Sequence, residues 1–472
     1  MKKALRALLI AIGVSWLGAV LILGLTLSPV DYTPYYREAY WRETAELLKA
    51  NVATNKAVTG ELYAGFGRAV LTPSIGATTD QPDAGQFRSV PLAGYGNRKG
   101  KPATGKHDDL YIKAAALKVG DRIAVMIAAD ALIIPREVAD LASEQLRKEL
   151  RLNREQIYFS ATHSHSSIGG WGEGFVAEDF AGPFQPGVLS WFAKRLADAT
   201  RDAVADLKPA EFGFATFSAG ECVRNRLVGE AGTTDPEFSF AVIRQTNGFS
   251  AVLGSFSAHA TVLSGQNLLF SSDYPGAWAR AVEQATGGMA LFFAGGVGSH
   301  SPKPPSGGGF EAAESLGQAL AAEVKKRVAS TSLTNVVPLQ IVGLRVALPQ
   351  LNVRVSDSLR LRPWLASRLL HVRPDTFLQM LRIGNVTWFS TPCDFSGEMA
   401  VHIKNSMRVR GRNAVVTSFN GDYIGYVVPA RYYHLNSYES RLMSFFGPNV
   451  PDYLDDLIRR LASETSGEPA SQ

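Results

Sequence analysis

The hydrophobic pattern changes character early in the chain. After Lys2, Lys3 and Arg6, residues 7–30 form an uncharged and mostly apolar run. As a helix, that run is long enough to cross a hydrocarbon core of about 30 Å with some tilt. A cleaved signal peptide has a shorter apolar core and a small-x-small cleavage site, and neither stands out here. The pattern therefore predicts a transmembrane signal anchor over 1–30, with its basic end in the cytoplasm. The rest of the chain is then extracytoplasmic, either periplasmic or extracellular. Residues 31–58 mix aromatic and charged residues at helical spacing and predict a membrane-proximal helix and linker.

From Leu62 onward, short apolar runs alternate with amphipathic stretches. Residues 121–132 (DRIAVMIAADAL) predict a buried strand, 136–152 an amphipathic helix with apolar positions at i, i+3 and i+4, and 156–162 (QIYFSAT) the next strand. Further strands are predicted at 211–218, 240–245, 250–260, 288–295, 336–348, 377–384 and 386–391. The β–α–β succession predicts an α/β fold: mixed β-sheets with flanking helices, forming one large domain over 59–460. A polar tail over 461–472 is predicted to be disordered.

Composition narrows the function classes. The chain is 46% hydrophobic and 19% charged, which is ordinary for a globular protein with a large core. A net charge of +5 over 472 residues does not argue for nucleic-acid binding. No P-loop, zinc-finger spacing or aromatic-interleaved basic patch is present. Two cysteines, Cys222 and Cys393, cannot build a disulfide scaffold, and whether they pair is open at this point. A segment at 354–374 carries arginines among Leu and Trp, a composition suited either to a solvated face or to anionic lipid.

Candidate chemistry lies in the histidines. His163 and His165 sit in ATHSHSSIGG, just past the strand predicted at 156–162, where α/β folds collect their active sites. Residues two apart on an extended segment point the same way, so both rings can face one cavity. His107 and His259 also lie among small polar residues at predicted strand ends or loops. Neutral imidazole is a common zinc ligand, and a catalytic zinc keeps a position open for water. Singly, each histidine also fits a hydrogen-bonded structural role. With a carboxylate and a tyrosine, the group suggests a metal site.

Seven segments in order resemble the neutral/alkaline non-lysosomal ceramidases, from about Gly65 to Pro448. They are GFGRAVLTPSIG, PLAGYG, KHDDLYIKAAAL, ATHSHSSIGG, FSAHATVLSGQNLLFSSDYPGAWA, FFAGGVGSHSPKPP and DYIGYVVPARYYHLNSYES with its following FGP. ATHSHSSIGG is similar to that family's Thr-His-Thr-His-Ser-Gly-Pro-Gly-Gly motif, the most specific of these. The resemblance implies one Zn2+ held by two histidines, a carboxylate and a tyrosine. On this sequence the implied ligands are His107, His165, Asp394 and Tyr426, with Glu398 as reserve carboxylate. Asp394 stands in PCDF, where the family has Glu. His163, His259 and Tyr438 are implied to stabilise an oxyanion or protonate a leaving amine, and Arg226 to meet a polar head group.

The implied activity is that of a membrane-anchored zinc amidohydrolase cleaving an N-acyl, ceramide-like lipid, in sphingolipid chemistry. Two departures keep alternatives open. The family's Asn-Arg-Ser reads Asn225-Arg226-Leu227, and its Gly-Asp-x-Ser reads Gly298-Ser299-His300-Ser301. A non-catalytic lipid- or metal-binding descendant, or a zinc hydrolase of another ester or amide, fits those changes as well.

Overall fold

The structure, a computed structural model, describes residues 2–464. Its first element is helix α1 (Lys2–Thr26), exposed along its length and long and apolar enough to cross a membrane. Helix α2 (Ala39–Thr54) follows. It is not a free linker: Leu48 and Val52 are buried in a core cluster of the main domain, and the Trp41 indole donates to Asp456 at 2.9 Å. A mixed α/β domain occupies the rest, as the alternation of apolar runs predicts.

Its centre is a twelve-stranded sheet. In chain order the strands and main helices are β1 (Val58–Val70), β2 (Tyr111–Val119), β3 (Arg122–Ala129), α3 (Arg136–Leu150), β4 (Ile157–Ala161), α4 (Pro186–Ala205), β5 (Lys208–Ser218), β6 (Glu237–Gln245), β7 (Ser250–Phe256), α5 (Asp273–Thr286) and β8 (Met289–Ala294). There follow α6 (Gly309–Val328), β9 (Val336–Ala347), α7 (Pro363–Leu370), β10 (Asp375–Ile383), β11 (Val386–Ser390), α8 (Gly397–Val409), β12 (Asn413–Thr417) and α9 (Val450–Glu464). The spatial order is β8-β7-β6-β5-β1-β9-β10-β11-β12, with β2, β3 and β4 branching from β1.

β1 is the hub, because its length lets it pair antiparallel with β9 at one end and with β2 along the rest. Gly65 and Gly67 on β1 let helix α4 approach closely, since a Cβ at either would run into the α4 backbone at Ala203 or Ala199. Three pairs are parallel, β3 with β4, β7 with β8, and β11 with β12. Every strand predicted from the sequence lies on an observed one. β1, β2 and β12 and the helices after residue 180 are not among the predicted elements; Ala and Gly dilute the apolar residues of β1, Ala those of β2, and β12 is only five residues long. The predicted tail begins too early: residues 461–464 continue α9, and 465–472 lie outside the described residues.

The three parallel pairs meet at their carboxyl ends. Tyr158, Phe293 and Trp388, from β4, β8 and β11, form an edge-to-face aromatic cluster. The Ser160 hydroxyl donates to the Ser418 carbonyl at 2.9 Å and the Ser418 amide donates to Ala294 at 2.9 Å. These ties bring together the segments that leave β4, β7, β8, β11 and β12.

A candidate metal centre at the strand ends

His163 follows β4 and His259 follows β7. Both are buried. The His163 Nδ1 lies 2.7 Å from the Leu132 carbonyl and the His259 Nδ1 lies 3.1 Å from the Val297 carbonyl. A carbonyl only accepts, so each Nδ1 carries the ring proton and each Nε2 presents a lone pair. Those two Nε2 atoms face each other at 2.8 Å. Two bare lone pairs at that distance repel, and a shared cation relieves the repulsion. The His165 Nε2 is 3.2 Å from that of His163. The three rings thus form a group that could hold a metal ion.

The expected extended geometry is not what aligns them. β4 ends at Ala161, and His163 has φ of 63°, in the left-handed region that a residue with a Cβ rarely adopts. Its ring stacks on Phe419, 4.1 Å away and also at positive φ. His165 is seated from behind by Gly94, at φ of 117°, where a Cβ would come within 2.6 Å of it. The buried Arg98 donates to the His165 carbonyl at 2.5 Å and to Ala93 at 2.8 Å, which pins the loop.

The carboxylate comes from the third pair. Past β11, residues Asp394–Phe395 pair in parallel with Tyr426–Val427, so Asp394 lies opposite Tyr426 in register. Oδ2 of Asp394 accepts from the Tyr423 hydroxyl at 2.8 Å. Oδ1 is buried without a hydrogen bond and lies 3.3 Å from His163 Nε2 and 3.8 Å from His259 Nε2. The Tyr426 hydroxyl is 3.5 Å from His259 Nε2 and accepts from Arg226 at 3.1 Å. Arg226 also pairs with Glu439 at 2.9 Å.

Burial sets the charges. It pushes the His163 imidazole down to about 3, and holds His165 and His259 well below the usual value, so all three rings are neutral at pH 7. Burial pushes the Asp394 carboxyl up to about 7, against the hydrogen bond from Tyr423 and the nearby Arg226. The Tyr426 phenol is held well above 10, again first by burial.

The donor set fits zinc. In a tetrahedral site with nitrogen ligands at about 2.0–2.1 Å, neighbouring donors lie about 3.3 Å apart. The separations His163–His259 (2.8 Å), Asp394–His163 (3.3 Å), Tyr426–His259 (3.5 Å) and Asp394–His259 (3.8 Å) bracket that value. An orphaned buried carboxylate oxygen beside two inward lone pairs is the pattern a cation satisfies.

Other expected residues lie elsewhere. His107 is outside this group: its side chain is 42% exposed, its Nδ1 is 3.0 Å from Asp108, and its ring stacks 3.8 Å from Phe310. His163 and His259, expected as acid–base groups, lie in one group with His165, the expected nitrogen ligand. Glu398 is buried against Arg431 and Tyr432, not in the histidine group. Tyr438 is 49% exposed, with its ring 5.6 Å from that of Tyr426 and its phenol pushed up to about 12 by burial. Leu227 is half-buried and its amide donates to Asn225 at 3.0 Å. The Ser299 hydroxyl is engaged with His300 and Ser396. Cys222 and Cys393 are both free. Sequence reasoning missed Arg98, Phe419, Tyr423 and Glu439 as site residues. Tyr423 and Glu439 left a signal, since both stand in the last resembling segment, three positions before Tyr426 and directly after Tyr438.

A cavity of about 410 Å³ lies behind Tyr423. Its apolar wall includes Trp171, Phe180, Leu189, Val372 and Phe445, and Tyr423 stands between it and Asp394.

Residues 76–302 match the family described as neutral/alkaline non-lysosomal ceramidase, N-terminal. That segment is similar to the amino-terminal part of the neutral ceramidases. The fold of the chain agrees over a longer span. The structure of the neutral ceramidase from Pseudomonas aeruginosa is similar with a TM-score of 0.71 at 19% identity, covering 87% of this chain and 76% of that one. A structure described as ceramidase complexed with C2 is similar with a TM-score of 0.72 at 18% identity, with the same coverage. No curated protein matches the sequence. His163, His165 and His259 lie inside the matched segment, whereas Asp394 and Tyr426 lie beyond it. The fold is ceramidase-like.

Proposed function

We propose that this protein is a membrane-anchored, zinc-dependent amidohydrolase of an N-acyl lipid. The observation that carries the reading is the meeting of His163, His259, Asp394 and Tyr426 from three separate strand pairs, with the free carboxylate oxygen aimed at two imidazole lone pairs. These four residues would hold the ion. A bound zinc lowers the pKa of water to about 7 and polarises a carbonyl.

The chain's own residues supply the rest. His165, neutral and beside His163, is placed to donate to or accept from a reacting oxygen. Arg226 orients the Tyr426 hydroxyl by donating to it. Tyr438, partly exposed above Tyr426, is placed to meet substrate as it enters. Tyr423 orients Asp394 and forms a wall of the apolar cavity, whose size suits part of an acyl chain. The apolar helix α1 suits a substrate that partitions into the membrane.

Leu227 favours a second reading, because a leucine can neither donate a hydrogen bond nor attack a carbonyl. Such a protein is a lipid- or metal-binding descendant without turnover, or a hydrolase of another ester or amide. The test is a panel of N-acyl lipids and carboxylic esters incubated with the zinc-loaded full chain and with Asp394→Asn. Amide cleavage by the former and not the latter is the expected result. Cleavage confined to esters, or none at all, sinks the amidohydrolase reading.

A further inference from the structure

The end of α1 is fastened to the domain at one place. Leu27–Pro29 pairs antiparallel with Leu359–Leu361, directly before α7. The Arg362 amide donates to the Thr26 carbonyl at 2.8 Å, its Nε donates to Gly24 at 2.8 Å, and the Trp364 indole donates to Leu25 at 3.3 Å. These bonds set the height of α7. If α1 crosses a bilayer, its last turn lies at the membrane–water boundary, and α7 lies there with it.

α7 has the chemistry of that boundary. Trp364 is 57% exposed and Leu369 43% exposed, while Arg362, Arg368 and Arg373 are exposed cations. Asp357 is the one acidic residue between 354 and 373. Trp at the head-group level, leucine below it and arginines reaching anionic phosphate is the arrangement of an interfacial helix. Neighbouring loops extend the face. Gly174 packs against His371 just past α7, placing the 77% exposed Phe175 beside it. On the other side Arg441 donates to the Val355 carbonyl at 3.1 Å, which places the 66% exposed Leu442 next to this segment.

We propose that α7, with Phe175 and Leu442, is a docking surface for anionic phospholipid in the same bilayer that holds α1. The proposal rests on the reading of α1 as a membrane span. It goes further than a tether, because it fixes the orientation of the domain. Two segments near the centre border this face. Leu370 to Arg373 line the cavity behind Tyr423, and Tyr438 opens the turn that ends at Leu442. An N-acyl lipid then passes from the bilayer to the centre without crossing water.

The test uses the full chain reconstituted in vesicles of phosphatidylcholine with phosphatidylglycerol. A fluorophore is attached to Leu369→Cys, to Leu21→Cys within α1, or to Val409→Cys on α8, which is fully exposed elsewhere. Cys222 and Cys393 are buried and do not compete for the label. Spin-labelled phospholipid is expected to quench the labels at 21 and 369 and not the label at 409. Quenching at 21 without quenching at 369 overturns the docking surface and leaves the span intact. Equal quenching at 369 and 409 overturns it as unspecific adsorption. No quenching at 21 overturns the span, and the proposal with it.

Discussion

At the scale of single residues, the site depends on imidazoles that stay neutral and on partners that fix which nitrogen is bare. His163 and His259 use backbone carbonyls for this. His300 shows the same logic outside the centre. Its Nε2 accepts from the Asp235 amide at 2.9 Å, so its Nδ1 donates to Ser299 at 2.8 Å. Burial pushes its imidazole down to about 4. The unfolded chain therefore takes up a proton at higher pH than the folded one, and stability falls as pH drops from about 6.5 to about 4. The loss over that window is about 3 kcal/mol from this group. His300→Gln should be less stable at pH 7 but show a shallower acid slope in denaturant unfolding; parallel slopes would refute this role. Arg226 is the second case. Arg226→Ala removes the donor to Tyr426 and the partner of Glu439, so turnover should fall about 10–100-fold while bound metal stays. Loss of the metal together with activity would make Arg226 part of the ion's support and contradict its assignment to Tyr426. Residues of this kind were only partly legible in the sequence. The His-x-His pair stood out by type and neighbourhood, and Tyr426 through the resemblance alone. His107 was misleading, because a resembling segment does not record that its ring turns outward onto Phe310.

At the scale of elements, the sequence showed the strands of continuous Val, Ile and Phe and missed those diluted by alanine and glycine. Glycine on β1 is there for the backbone of α4, a tertiary reason that periodicity does not contain. The ties between elements are equally hidden. Lys404 on α8 pairs with Asp235 at 2.8 Å, both buried, and the Ser257 hydroxyl donates to the same Asp235 oxygen at 2.6 Å. These bonds join α8 to the loops before β6 and after β7, which carry the segment of His259. Asp235→Ala leaves the buried Lys404 ammonium with only Glu237, at 3.6 Å, and should lower the unfolding free energy by about 3 kcal/mol. Adding Lys404→Met should recover part of the loss. A cost below about 1 kcal/mol for the single change would mean the pair behaves as an exposed one.

At the scale of the whole molecule, one domain has to hold together for its centre to exist. His163 and Tyr426 are far apart in sequence and meet because the branch through β4 and the arm through β12 close on each other at Tyr158 and Thr417, whose hydroxyls lie 2.7 Å apart. Limited proteolysis of the region after α2 should therefore not yield two stable halves. Recovery of two independently folded fragments would contradict the single-domain reading.

The zinc content of the purified chain tests the account most directly. Chelator-treated protein and its His259→Ala and His107→Ala variants are titrated with zinc, and bound metal is counted by elemental analysis after gel filtration. The account predicts one zinc per wild-type chain, the same in His107→Ala, and loss of zinc in His259→Ala with folding retained, since a core this large does not need the ion to fold. Zinc retained in His259→Ala, or lost in His107→Ala, would contradict it.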